Sequence, residues 1–156
     1  MPRTGADLAL LLLGSYRRLV DAATAELAAR GYDDVRPSHD FAMRAIDAGA
    51  SNASELGRRM AVTKQAALRT ISVLLERGWI AREDDLDDRR RMKLRVTALG
   101  HEVMATGEAV FDELRARWER EVGAHELATL EAQLTRLVGD AAVRIDAPGW
   151  VARDDV

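Results

Sequence analysis

The sequence predicts a mainly α-helical fold with one small β-hairpin wing: a winged helix-turn-helix flanked by N- and C-terminal dimerisation helices. Three observations predict it. Residues 52–78 hold two short amphipathic segments joined by Ala61-Val62, as in a helix-turn-helix. Residues 79–97 then change to a period of two around a charged middle, the pattern of a hairpin. Long apolar repeats of helical spacing lie on both sides of this block. The 156 residues are 47% hydrophobic and 31% charged, which suits one globular domain with a real core.

The elements follow in chain order. A first helix is expected from about Ala6 to Arg30, with Leu8, Leu12, Leu19, Ala23 and Leu27 close to one stripe and Gly31 as its stop. Residues 31–37 form a connector. Ser38 is read as the cap of a second helix, with Phe41, Ala42, Ala45 and Ile46 as its core face. Asn52, with Glu55 three residues on, resembles a capping box for a third helix whose inward residues are Leu56 and Met60. Thr63 caps the fourth helix. Ala67, Leu68, Ile71, Leu74 and Leu75 give it an apolar face, and Arg77-Gly78 ends it. Strands at 79–82 and 93–97 flank a loop from Glu83 to Met92 that is too polar to pack. Thr97 caps a fifth helix reaching about Glu121, lined by Val103, Val110, Phe111, Leu114 and Trp118. A sixth starts at Ala124. Its seam is Leu127, Leu130, Leu134, Leu137, Ala141 and Ile145, and Pro148-Gly149 close it. The expected organisation is 1–36 N-terminal dimerisation helix, 37–100 winged helix, 101–147 C-terminal dimerisation helices and 148–156 tail.

The solvent face of the fourth helix carries Lys64, Gln65, Arg69 and Ser72, side chains that reach phosphates and base edges in a major groove. Arg69 is the candidate for a bidentate contact to guanine. Lys64 and Gln65 lie in the first turn, where free N–H groups and the helix dipole favour a phosphate. Thr63 is first a cap and second a base contact. Arg89, Arg90 and Arg91 sit together near the wing tip among Asp84, Asp85, Asp87 and Asp88. Asp88 is read as an internal partner that positions an arginine.

On these residues the chain resembles the MarR transcriptional regulators. The segment VTKQAALRTISVLLERGWIARE is similar to the family's recognition helix, with its arginine at Arg69 and its terminal Glu-Arg-Gly at Glu76 to Gly78. The wing matches the family's Asp-x-Arg, five residues, Leu-Thr-x-x-Gly pattern at Asp88, Arg90, Thr97 and Gly100, with Val96 in place of leucine. The resemblance implies a homodimer with intertwined terminal helices that binds a pseudo-palindromic operator in double-stranded DNA. It also implies a repressor role, Arg90 as the wing residue that enters the minor groove, and release by a small aromatic or lipophilic effector. The effector would lie between the dimer helices and the reading head, with Tyr16, His39, Phe41, Met43, Arg44 and Met104 as contributors.

Composition narrows the alternatives. With no cysteine, neither a disulfide nor a thiol redox switch is available. The apolar run Leu8 to Leu13 is too short to span a bilayer and no cleavage site follows it, so a cytoplasmic protein is expected without a membrane partner. His39, His101 and His125 fall on different helices without metal-ligand spacing. No glycine-rich phosphate loop or nucleophile elbow is present, so catalytic residues, metals and cofactors are not expected. The net charge of −3 hides an asymmetry: residues 51–100 hold 11 Lys/Arg and 7 Asp/Glu, a local +4. Nucleic-acid affinity follows the local patch rather than the sum. The competing reading is a winged-helix protein–protein adaptor without specific DNA binding, and the retained arginines argue against it.

Overall fold

The computed structural model describes residues 3–88 and 91–139. Within them the order is α1 (Gly5–Ala29), α2 (Pro37–Asp47), α3 (Ala53–Met60), α4 (Lys64–Glu76), β1 (Ile80–Asp84), β2 (Met92–Val96), α5 (Ala98–Val122) and α6 (Ala124–Val138). The fold is therefore mostly helical with a two-stranded antiparallel hairpin, as the sequence predicts. Arg89, Arg90, Ala141, Ile145, Pro148, Gly149 and the 150–156 tail lie outside the described residues.

Side chains set most helix starts. Thr4 accepts from the Asp7 N–H and the Asp7 carboxylate accepts from the Thr4 N–H, a capping box the sequence reading passed over. The start of α2 differs from expectation. Pro37 occupies its first turn and Ser38 lies inside the helix, because proline's fixed φ suits that position. The cap is Arg36, whose N–H is accepted by His39 Nδ1 at 3.3 Å. At α3, Asn52 Oδ1 accepts from the Glu55 N–H at 3.0 Å, but the Glu55 carboxylate accepts from the Ser51 N–H at 2.8 Å rather than from that of Asn52. The reciprocal leg of the box is thus shifted by one residue.

These bonds hold Glu55 ionised to a lower pH than usual. The Ser51 N–H is the main cause and the Ser51 hydroxyl adds to it. A lowered folded-state pKa stabilises the fold above the ordinary glutamate value near 4.5, and the contribution is lost as pH falls through the lower value. Glu55→Gln is expected to cost about 0.5–1 kcal/mol at pH 7, a charge-assisted bond discounted for solvent. Urea unfolding should find the two proteins converging as pH falls through that lowered value.

Helix ends repeat one device. The N–H of Trp79 is accepted by Leu74 O and that of Gly78 by Leu75 O, the paired bonds of a Schellman motif around a left-handed Gly78. The same pair closes α2 at Gly49. In the helix-turn-helix turn the left-handed position is Ala61, at φ 53° and ψ 39°. A Cβ is disfavoured there by about 1 kcal/mol. Ala61→Gly is accordingly expected to raise stability by about that amount, read as a higher urea midpoint at unchanged slope.

The core joins Met43 and Ile46 of α2, Leu56 and Met60 of α3, Ala67, Ile71 and Leu74 of α4, Trp79, Ile80 and Val96 of the hairpin, and Val103, Val110 and Leu114 of α5. Phe41, assigned to the core face of α2, is only partly buried; Met43 takes the fully buried place. In α4, Ala67, Ile71 and Leu74 form the seam, while Leu68 lies about 100° further round the helix and is 43% exposed. The expected stripe of α1 is buried only towards its C-terminal end, at Ala23 and Leu27, where α1 packs on α5. Leu8 and Leu12 are exposed.

Candidate nucleic-acid interface

Helix α4 is held at both ends. Thr63 Oγ1 accepts from the Ala66 N–H at 3.0 Å and so caps its start. At its far end Arg77 donates to the carbonyls of Asp33 and Asp34 at 2.9 and 3.2 Å and stacks over Trp79 at 4.8 Å. Asp34 itself sits at φ 53°. Its carboxylate pairs with Arg36 at 3.1 Å and Arg77 at 3.3 Å, and the Arg36 bond is the main reason it stays ionised below the usual range. The helix therefore has little freedom to roll on the core.

Its outward stripe is Gln65, Leu68, Arg69 and Ser72, at intervals of three and four, with Lys64 and Thr63 at the N-terminal edge; all six are exposed. The Ser72 hydroxyl donates to the Leu68 carbonyl at 2.9 Å, which leaves its oxygen able only to accept. Lys64 and Arg69 have no ion-pair or hydrogen-bond partner among the described residues.

The hairpin register sorts the wing's charges by face. Ile80 pairs with Val96, Arg82 with Leu94 and Glu83 with Lys93. On the outer face Glu83 neutralises Arg95 at 2.8 Å and Lys93 at 3.6 Å. Towards the tip Asp88 pairs with Arg91 at 3.4 Å, while Arg89 and Arg90 lie outside the described residues. On the inner face, beside α4, Arg82 has no partner among the described residues. Arg82 escaped the sequence reading. The signal that could have found it is the period of two, which sets Arg82 on the same face as Ile80 and Glu83 on the opposite one. The wing is joined to the reading head by the Leu94 N–H, accepted by Ser51 O at 3.0 Å.

A second feature lies behind this face. A cavity of about 140 Å³, open to solvent, is bounded by α1, α2 and α5 and is mostly apolar. Tyr16, Phe41, Met43 and Arg44 line it together with Val20 and Phe111. Arg44 is held by Asp40 at 2.7 Å, and burial pushes the Tyr16 phenol up. His39 and Met104 do not reach it. His39 is buried against Trp79, ring centroids 6.0 Å apart, and Met104 packs against the core. His101 Nε2 lies 2.8 Å from Asp47 Oδ1, linking the first turn of α5 to the end of α2. Among the described residues no group of three His, Cys, Asp or Glu is placed to hold a metal ion. No helix among them is long and apolar enough to cross a membrane.

The span from Phe41 through the wing to Arg91 matches the model of the MarR family. That match takes in the helix-turn-helix and the first strand of the wing, and the chain is similar to the family over those residues. No curated protein sequence matches it. Among solved structures it is similar to wild-type MarR of Escherichia coli in its apo form, with a TM-score of 0.66 and 18% identity over 89% of this chain and 100% of that one. It is similar to the YusO protein of Bacillus subtilis at TM-score 0.67 and 21% identity, covering 89% and 100% of the two chains. FabT of Streptococcus pneumoniae, solved in complex with DNA, matches at 0.68 and 16%, covering 86% and 94%. These matches extend the shared fold beyond the winged helix to the terminal helices of the chain.

Proposed function

We propose that the protein is a sequence-specific DNA-binding regulator of transcription, a repressor, acting as a homodimer on a pseudo-palindromic operator. The observation that carries this reading is the exposed stripe of α4 with its unpartnered cations. Lys64, Arg69 and Arg82 stand on one side of the head without a neutralising carboxylate among the described residues. Unpaired cations beside hydrogen-bonding side chains suit a polyanion with readable base edges. That FabT, of the same fold, has been solved on DNA supports the same partner here.

The dimer reading rests on apolar surface at the two ends of the chain. Leu8 and Leu10–Leu13 of α1 are 44–67% exposed, and Leu130, Leu137 and Val138 of α6 are 45–80% exposed. A second copy presenting the same patches would remove this surface from water. The cavity behind the head suits an apolar effector. It would act only by binding better to one spacing of the two heads than to the other.

The test is binding of the purified protein to the duplex upstream of its own reading frame, against random duplex, across a salt series. The expected result is preference for the upstream duplex. Affinity should fall roughly 10³-fold between 50 and 200 mM salt, as for six phosphate contacts per dimer. Equal weak binding to both duplexes would refute the reading.

A further inference from the structure

We infer that the notch between recognition helix and wing reads the 5-methyl group of a thymine, and that Leu68 is the residue that does so. The inference rests on the DNA-binding reading and specifies one base contact within it.

Leu68 belongs by composition to the core, yet it stands on the outward stripe between Gln65 and Arg69 and is 43% exposed. A lone exposed leucine is unremarkable on any protein surface. This one is not alone. It borders a notch of about 210 Å³ whose apolar wall is completed by Ile71 of α4 and by Met92 and Leu94 of the wing. Met92 is itself 55% exposed, so this wall is apolar at its rim as well as at its floor. Arg82 lines the same notch and Arg69 adjoins Leu68 along the helix. Neither has a partner among the described residues. Ser51 and Asn52 line the opposite side, so the notch has one apolar wall and one polar one. An apolar wall flanked by unpaired cations fits a group that is apolar at its tip and anionic around its base. In a major groove the thymine methyl is that group, projecting from the base edge with phosphates on either side.

Leu68 is the fifth residue of α4, within the N-terminal turns that meet base edges when a recognition helix enters the groove. The neighbouring side chains complement it. Arg69 suits guanine O6 and N7, Gln65 suits adenine N6 and N7, and neither responds to a methyl group. Leu68 supplies the discrimination these two lack.

The test begins by selecting bound duplexes from a randomised pool with the intact protein. Each thymine of the selected site is then replaced by deoxyuridine, which deletes only the methyl. One symmetric pair of thymines is expected to respond, with binding about four-fold weaker per half-site, as for one buried methyl group. Leu68→Ala should bind the thymine and deoxyuridine duplexes alike, and Leu68→Met should keep most of the discrimination. Leu68 is exposed, so neither variant should change the unfolding midpoint by more than a small amount. A well-defined selected site that binds equally with deoxyuridine at every thymine would overturn the inference while leaving the DNA-binding reading intact. So would a methyl response that survives in Leu68→Ala. Failure to enrich any duplex would overturn the DNA-binding reading itself, and this inference with it.

Discussion

Replacing Gly100 by alanine is expected to destabilise the fold by about 3 kcal/mol, the upper range of an overpacked site. For a chain of this length that lowers the unfolding midpoint by roughly 6–12 °C, measurable by thermal circular dichroism. A Cβ at Gly100 would overlap the Trp79 carbonyl oxygen and come within 2.7 Å of Val96 Cγ1. The first obstacle is backbone, which has no rotamer in which to retreat. The close approach is needed because the first turn of α5 sits on the junction of α4 and β1. Thr97 Oγ1 donates to the Gly78 carbonyl at 2.6 Å and accepts from the Gly100 N–H at 3.1 Å. The Thr97 N–H is accepted by the Trp79 carbonyl at 3.0 Å. Thr97 and Gly100 thus clamp the end of the recognition helix to the long helix that carries the C-terminal half of the chain. The variant should lose DNA affinity only as far as it unfolds. Gly107, lower on the same helix, has nothing within 4 Å of an added Cβ, and Gly107→Ala is the matched control. It is expected to hold or raise stability, since alanine is the better helix former.

Arg69→Ala is expected to cause the largest loss of operator affinity. One bidentate guanine contact contributes roughly 1–3 kcal/mol of discrimination, and a symmetric dimer makes it twice. The combined loss is roughly 30-fold to 10⁴-fold, measurable by fluorescence anisotropy. Because Arg69 makes no bond to the rest of the described chain, its removal should leave the unfolding midpoint and the oligomeric state unchanged. Specificity should collapse further than affinity for random duplex, because phosphate contacts persist at Lys64 and Arg82. Arg82→Ala should show the converse: similar weakening on every sequence and a smaller salt slope. A phosphate contact and a base contact are separated by that difference.

Much of this architecture was legible from local chemistry. Thr63 and Thr97 mark their helices because a hydroxyl at the N-cap has one local job. Gly78 marks an end because few other residues turn left-handed without cost. The charged interval at 83–92 marks the turn between strands, although the ladder extends further than its polarity suggests and takes in Glu83, Asp84 and Met92. What stayed hidden depends on relations between elements. Ser38 looked like a cap because proline's preference for the first turn was given too little weight. Leu68 looked like core because an apolar residue beside a periodic seam carries no label for the side it faces. The period of two sets Arg82 on the other face of the hairpin from Glu83, and the ion pairs of Glu83 with Lys93 and Arg95 leave Arg82 as the wing cation without one among the described strand residues. His39 looked like a ligand contact, yet it serves as an edge-on partner for Trp79 and an acceptor for the Arg36 N–H. Gly100 was a motif position with no physical reason until the Trp79 carbonyl was seen against it.

In the proposed function two copies of this chain hold two recognition helices at a fixed distance over one face of a duplex. Hydroxyl-radical footprinting of the upstream duplex tests it most directly. Two protected half-sites of related, inverted sequence are expected, about 10–10.5 base pairs apart from centre to centre, or about 34 Å. Arg69→Ala should erase both together. A single protected patch without inverted symmetry, or protection that Arg69→Ala leaves unchanged, would contradict it.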